Sequence, residues 1–169
     1  KKSDKIVLPG QGSFKACKEG IDNIKGLQEE LNESVLIKKK PIYGICAGMQ
    51  LFATTGYEEE ETSGLNWIPG EVIKLNLTSS KLKIPHMGWN ELKVENDSKV
   101  FKNMTDNSHA YFIHSYEFIP NDKKMVSITT DYGKDVIAAV SFVNIFGSQF
   151  HPEKSQKTGI KILTNFLNL

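Results

Sequence analysis

Cys46 stands between two glycines in Gly44-Ile45-Cys46-Ala47-Gly48, where a short apolar run ends and a helix-like run begins. Flanking glycines tolerate a strained turn and let the backbone crowd close to a nucleophile, so this setting presents the sulfur. At a helix N-terminus the macrodipole favours a thiolate, and free backbone N–H groups can receive a developing oxyanion. Both effects serve acyl transfer. The pentapeptide alone also fits a buried cysteine acting as a small hydrophobe. A second group of residues lies far downstream, in Gly147-Ser148-Gln149-Phe150-His151-Pro152-Glu153. Pro152 fixes its own φ and biases His151 toward extended backbone, so His151 and Glu153 project to the same side. One imidazole nitrogen can then face a thiol and the other a carboxylate. The base takes the thiol proton and protonates a leaving amine, while the acid holds its tautomer. Taken alone, His-Pro-Glu also describes a strand end beside a solvated charge; joined to the glycine-flanked cysteine it describes a Cys–His–acid triad.

The remaining candidates for these roles are weaker. Cys17 lies in an amphipathic helical stretch without flanking glycines and reads as a packing or mildly exposed residue. His86, His109 and His114 have no acid two residues on, which leaves His151 as the base.

Such residues need elements to hold them. Lys5 to Gly10 reads as a buried strand entering a loop, and Ser13 to about Leu36 as a helix, with Ile21, Ile24, Leu27 and Leu31 on one face. Pro41 to Ile45 reads as a second buried strand, running through Cys46 into a helix around Met49 to Ala53. Strand, helix, strand, helix implies parallel pairing. Thr54 to Asn66, carrying Glu58 to Glu61, reads as a surface loop. Strand-like runs follow at Glu71–Leu77, Ala110–Tyr116, Met125–Thr130, Val136–Phe142 and Ile145–Phe150, and their turn signals make some of them antiparallel. The segment around Met87 and Trp89 is poor in strand pattern. Ser155 reads as the N-cap of a last helix with Ile160, Leu163, Phe166 and Leu167 on one face. The expected fold is α/β: a mostly parallel central sheet flanked by helices, with an antiparallel extension, in one domain over residues 1–169.

Composition narrows the function classes. The 169 residues carry 21 basic and 20 acidic side chains, a net charge of +1, so no global field attracts nucleic acid or anionic lipid. No apolar run approaches the ~20 residues that span a bilayer, and no signal-peptide core is visible, so the cytoplasm is the expected compartment. The two cysteines are read as free thiols. No metal or cofactor is called for.

The sequence resembles the class I (triad) glutamine amidotransferases, and among them the glutaminase subunits that serve imidazole glycerol phosphate synthesis, over nearly its whole length. The likeness rests on Leu8-Pro9-Gly10-Gln11-Gly12-Ser13-Phe14, on the Cys46 and His151 motifs, on Trp67-Ile68-Pro69-Gly70, and on Pro85-His86-Met87-Gly88-Trp89-Asn90. Within the superfamily, Pro-His-Met-Gly-Trp-Asn and the Pro-Gly-x-Gly loop mark the narrower group. The resemblance implies a fold of the flavodoxin-like amidotransferase type, glutamine as substrate, and Cys46, His151 and Glu153 as nucleophile, base and acid. It implies an oxyanion site from Gly10, Gln11 and Ala47, with a peptide flip turning the Gln11 N–H toward the thioester oxygen. Gln50 and Glu58 become glutamine-binding side chains, with backbone groups of Ser115 and Tyr116. The register at Glu58 is open, because four consecutive glutamates also describe a solvated acidic loop. A (β/α)₈-barrel cyclase subunit is implied as partner in histidine biosynthesis, docking on Met87, Trp89, Tyr111 and Lys154. From composition alone Trp89 fits core packing equally well.

One departure from the resemblance is large. Family members begin with a strand and a helix ahead of the Pro-Gly loop, a unit of roughly thirty residues, and this sequence lacks it, which points to an N-terminally truncated domain. Two rival functions stand beside the favoured one: a paralogue feeding ammonia to amidino-sugar synthesis, and a non-enzymatic binding module on the same fold. The second predicts damage to the triad, and all three residues are present.

Overall fold

The computed structural model describes residues 3–77, 81–105 and 108–169. Its main sheet has six strands in the order β1-β2-β12-β11-β10-β7. These are β1 (Ile6–Gly10), β2 (Ile42–Cys46), β12 (Ile145–Ser148), β11 (Asp135–Phe142), β10 (Val126–Asp131) and β7 (Lys93–Val94). β1, β2 and β12 run parallel, and the remaining pairings are antiparallel. The α/β arrangement with an antiparallel extension is the one expected, but the main sheet is mixed rather than mostly parallel, its parallel pairing confined to β1, β2 and β12.

Side-chain alternation explains why β2 is central. Ile42 packs into one apolar core with Phe14, Leu31, Val35 and Phe52, and the next residue, Tyr43, into another with Phe101, Phe146, Phe150 and Phe166. Both faces of the strand are covered, as a parallel strand requires. β1 is less enclosed than its apolar sequence suggested: it lies at the end of the strand order and Val7 is 48% exposed.

The helix expected over Ser13–Leu36 is broken. α1 (Phe14–Asp22) is capped by Ser13, whose side chain accepts from the Ala16 N–H, and α2 (Leu27–Asn32) restarts after Gly26 at φ 78° before a π-turn over Glu33–Ile37. The left-handed glycine redirects the chain, and Ile24, read as part of the buried stripe, is 57% exposed.

Thr54–Asn66 is not a loop but a hairpin, β3 (Thr55–Glu58) and β4 (Glu60–Ser63), turning at Glu59 with φ 65°. Its acidic residues hid the pattern; the inward position is Gly56, where a Cβ would meet the Phe14 ring at 2.6 Å. The hairpin joins a four-stranded sheet, β4-β3-β5-β9, with β5 (Gly70–Lys74) and β9 (Tyr116–Pro120). The run read as Ala110–Tyr116 is thus two strands, β8 (His109–His114) and β9, separated at Ser115. β8 pairs with β6 (His86–Glu91) in a ribbon, so the segment around Met87 and Trp89 is a strand after all.

α4 (Gln156–Leu167) buries Gly159, Ile162 and Phe166, whereas Ile160 and Leu167 are 67% and 66% exposed. The helix is rotated from its expected face because Gly159 backs onto the Pro152 carbonyl oxygen, from which a Cβ would stand only 1.7 Å away.

Candidate active site

Cys46 is the last residue of β2 and the first neighbour of α3 (Ala47–Gln50), with φ 53° and ψ −115°. A non-glycine residue in such a conformation is strained, and strain of this kind persists where surrounding packing over-determines it. Here the packing is backbone on backbone: a Cβ at Gly48 would lie 1.9 Å from the Leu8 carbonyl oxygen, so only glycine lets α3 close against β1. The thiol is held in its protonated form. Burial pushes its pKa up to about 11, against a smaller lowering by the Ala47 backbone N–H. The thiolate expected from the helix dipole is therefore not the resting state, since a four-residue helix offers little dipole against desolvation. Sγ lies 3.6 Å from Nε2 of Gln149, a fully buried amide.

His151 follows β12 with extended φ −95° and ψ 100°, and the chain then makes a 3₁₀ turn over Pro152–Lys154. Nδ1 of His151 lies 2.7 Å from Oε1 of Glu153. The two side chains meet as expected, although through a turn and not through continued extension. Ser155 is the N-cap residue of the last helix as expected, but its side chain makes no capping bond. Its hydroxyl donates to the His151 carbonyl at 2.6 Å and accepts the Tyr111 N–H at 3.0 Å, and the His151 N–H reaches the Tyr111 carbonyl at 2.9 Å. The imidazole is thereby anchored to β8.

These elements enclose an open cavity of about 400 Å³. Its wall includes Gly10, Gln11, Cys46, Ala47, Gln50, Glu58, Ser115, Tyr116, His151 and Lys154, which gathers residues from five separate stretches of sequence. Glu153 lies behind His151, on a smaller adjoining hollow with Pro9 and Gly10. A volume of this order suits a single amino acid, with carboxylate, amide and backbone groups available to orient it. Of the four glutamates Glu58 is the one on the wall, and one of its oxygens accepts the Phe14 N–H at 2.7 Å. Among the described residues no cluster of His, Cys, Asp and Glu is suited to hold a metal ion.

The chain matches the glutamine amidotransferase class-I family across residues 1–169. It belongs to that family. It is 56% identical over 167 residues to the imidazole glycerol phosphate synthase subunit HisH of Pelagibacter ubique, covering 99% of this chain and 80% of that one. The corresponding subunit of Cereibacter sphaeroides is 46% identical over 167 residues, covering 98% and 78%. Solved structures agree on the fold: a glutamine amidotransferase superposes with a TM-score of 0.71 at 18% identity (98% of this chain, 78% of that), and PurLQS from Thermotoga maritima with 0.68 at 22% identity (98% and 79%).

Of the residues of this amidotransferase assigned to a partner face, Lys154 lies on the cavity wall, and Met87, Trp89 and Tyr111 lie outside it. Met87 and Trp89 are 58% and 49% exposed, and β6–β8 register sets Met87 opposite Ile113 and Trp89 opposite Tyr111. The indole meets the Tyr111 ring edge-on at 6.1 Å, and the Lys154 ammonium stands 5.7 Å over that ring. Trp89 is therefore not a core residue. Sequence reasoning overlooked Gln149, although it stands inside the quoted motif; its burial against the thiol has no signature in residue type. Cys17 packs partly buried against the core as expected, and its Sγ also lies 3.4 Å from the carbonyl oxygen of Gln11 in the glycine loop. Both thiols are free.

Proposed function

We propose that this amidotransferase is the glutaminase subunit of an imidazole glycerol phosphate synthase, releasing ammonia from glutamine for a barrel-type cyclase subunit in the cytoplasm. What carries the reading is the convergence of Cys46, His151 and the Gly10–Gly12 loop on one cavity of amino-acid size. Identity of 56% to a subunit of that synthase supports this acceptor over an amidino-sugar precursor.

Glutamine enters with its carboxylate toward backbone N–H groups at Ser115 and Tyr116 and its ammonium toward Glu58. His151 takes the Cys46 proton, held in the right tautomer by Glu153, and Sγ attacks the side-chain amide carbon. The tetrahedral oxyanion is met by the Ala47 N–H and, after a flip of the Gly10–Gln11 peptide, by the Gln11 N–H. Collapse expels ammonia, which leaves with the proton from His151. Water, deprotonated by the same imidazole, then hydrolyses the γ-glutamyl thioester to glutamate.

A thiol with its pKa near 11 fits a subunit that is quiet until a partner and substrate complete the site. The partner surface is the Met87–Trp89–Tyr111 platform, with Lys154 between it and the cavity. A glutaminase assay, with and without a cyclase subunit and its nucleotide ligand, tests the reading: glutamate release that rises with the partner supports it, and none under either condition refutes it.

A further inference from the structure

Two histidines that take no part in the proposed chemistry are buried beside the cavity, His114 on its wall. His86 and His114 are 2% and 6% exposed and stand opposite each other in the β6–β8 register. Their rings join through Nδ1 of His86 and Nε2 of His114, 3.0 Å apart. Nδ1 of His114 lies 2.9 Å from the Tyr116 carbonyl oxygen, and Nε2 of His86 lies 3.3 Å from Nδ2 of Asn90, which also donates to the Asp131 carbonyl at 2.8 Å. Tyr132 and Phe112 stack on His86 at 4.0 and 4.6 Å between ring centroids, which fixes its plane.

One proton arrangement satisfies all of these contacts. A carbonyl oxygen only accepts, so Nδ1 of His114 carries hydrogen; the neutral ring then accepts at Nε2. Nδ1 of His86 must therefore donate, leaving its Nε2 to accept from Asn90. Burial keeps both rings uncharged, lowering His86 to about 4 and His114 to about 3. The row of bonds does not stop at Tyr116. The same carbonyl accepts from Nε2 of Gln50 at 3.1 Å, Gln50 also donates to Oε1 of Gln149 at 2.9 Å, and Gln149 reaches Cys46 Sγ.

The geometry points to His86 and His114 as positioning residues of the glutamine site, a pair of Nδ1–H tautomers that holds the Tyr116 carbonyl and, through it, the Gln50 and Gln149 amides. This rests on the cavity being the glutamine site. A pair that merely filled space would be indifferent to tautomer, and a catalytic pair would need a ring that titrates near neutrality.

The test uses the amidotransferase in complex with a cyclase subunit and its nucleotide ligand. Nitrogen-15 NMR of histidine-labelled protein at pH 7 should show both rings neutral and protonated at Nδ1; an Nε2–H tautomer or an imidazolium at either residue overturns the inference. In kinetics, His86→Leu should raise KM for glutamine about tenfold with kcat changed by less than about threefold, because a lost orienting bond acts on the bound ground state. His86→Asn, whose amide can donate from near the Nδ1 position, should recover most of that loss. Equal KM values for the two variants, or a fall in kcat at constant KM, contradict the assignment. Should the leucine variant not fold, His86→Gln replaces it, lacking a donor at Nδ1 while remaining polar. A wild-type complex without glutaminase activity would sink the underlying functional reading, and the substrate part of this inference with it, whatever the tautomers.

Discussion

Oε1 of Glu153 stands 2.7 Å from Nδ1 of His151, the two residues joined across the Pro152–Lys154 turn. The other ring nitrogen is left for the cavity that Cys46 shares. Glu153 is half-exposed, so in the proposed triad it would set tautomer and orientation rather than supply a buried charge. Glu153→Gln keeps the shape and removes the anionic acceptor. It should lower glutaminase kcat in the partner complex by about 10²-fold, within the range that positioned acid–base partners contribute. Wild-type turnover in that variant would remove Glu153 from the triad.

Cys46 and Cys17 should differ in how they react. Both thiols have raised pKa values, burial being the first cause in each, and that of Cys46 is pushed up to about 11. A raised thiol pKa means the protonated form dominates at neutrality and the thiolate grows as pH rises toward that value. Alkylation of Cys46 by a simple haloacetamide should therefore be slow at pH 7 and accelerate about tenfold per pH unit between pH 7 and 9. A diazo-ketone analogue of glutamine, placed beside His151, should label Cys46 at neutral pH and spare Cys17. Mass spectrometry of labelled peptides checks both statements.

Ser155 ties the base to the sheet. Its buried hydroxyl serves the His151 carbonyl and the Tyr111 N–H at once, so Ser155→Ala strands the Tyr111 N–H, while the His151 carbonyl keeps only the Lys154 N–H. Stability to urea should fall by about 1–3 kcal/mol, the usual result of stranding buried polar groups. kcat should fall as well, because the imidazole loses its anchor. A variant with unchanged stability and turnover would show the clamp to be incidental.

The platform on β6 and β8 should bind through its ring and not through its charge. Trp89 is half-exposed against Tyr111, whereas Lys154 sits over the same ring at the rim. Trp89→Ala should weaken association with the cyclase subunit by at least about 2 kcal/mol, and Lys154→Ala by less. Titration calorimetry measures both, with circular dichroism to confirm folding. If Trp89→Ala binds like wild type, the docking face lies elsewhere.

Much of this site was legible because its chemistry is local. The elbow geometry is written in Gly44, Cys46 and Gly48, and the His151–Glu153 contact in three consecutive residues, so local backbone rules sufficed for the placement of these side chains. What escaped was tertiary. The break at Gly26 and the β3–β4 hairpin turn on left-handed residues hidden in helical and acidic patterns. The α4 face depended on Gly159 meeting Pro152, and the Ser155 hydroxyl was claimed by β8 before it could cap a helix. The raised thiol pKa reflects burial, which periodicity does not report for a residue at a strand end.

The central claim is that ammonia is cut from glutamine at Cys46 and used by a partner. The direct measurement is imidazole glycerol phosphate formation by the complex carrying Cys46→Ala, supplied in turn with glutamine and with ammonium at alkaline pH. The variant complex should be inactive with glutamine, by about 10³-fold or more for loss of a covalent nucleophile, and should retain wild-type turnover with ammonium. Glutamine-dependent product at the wild-type rate would contradict the account.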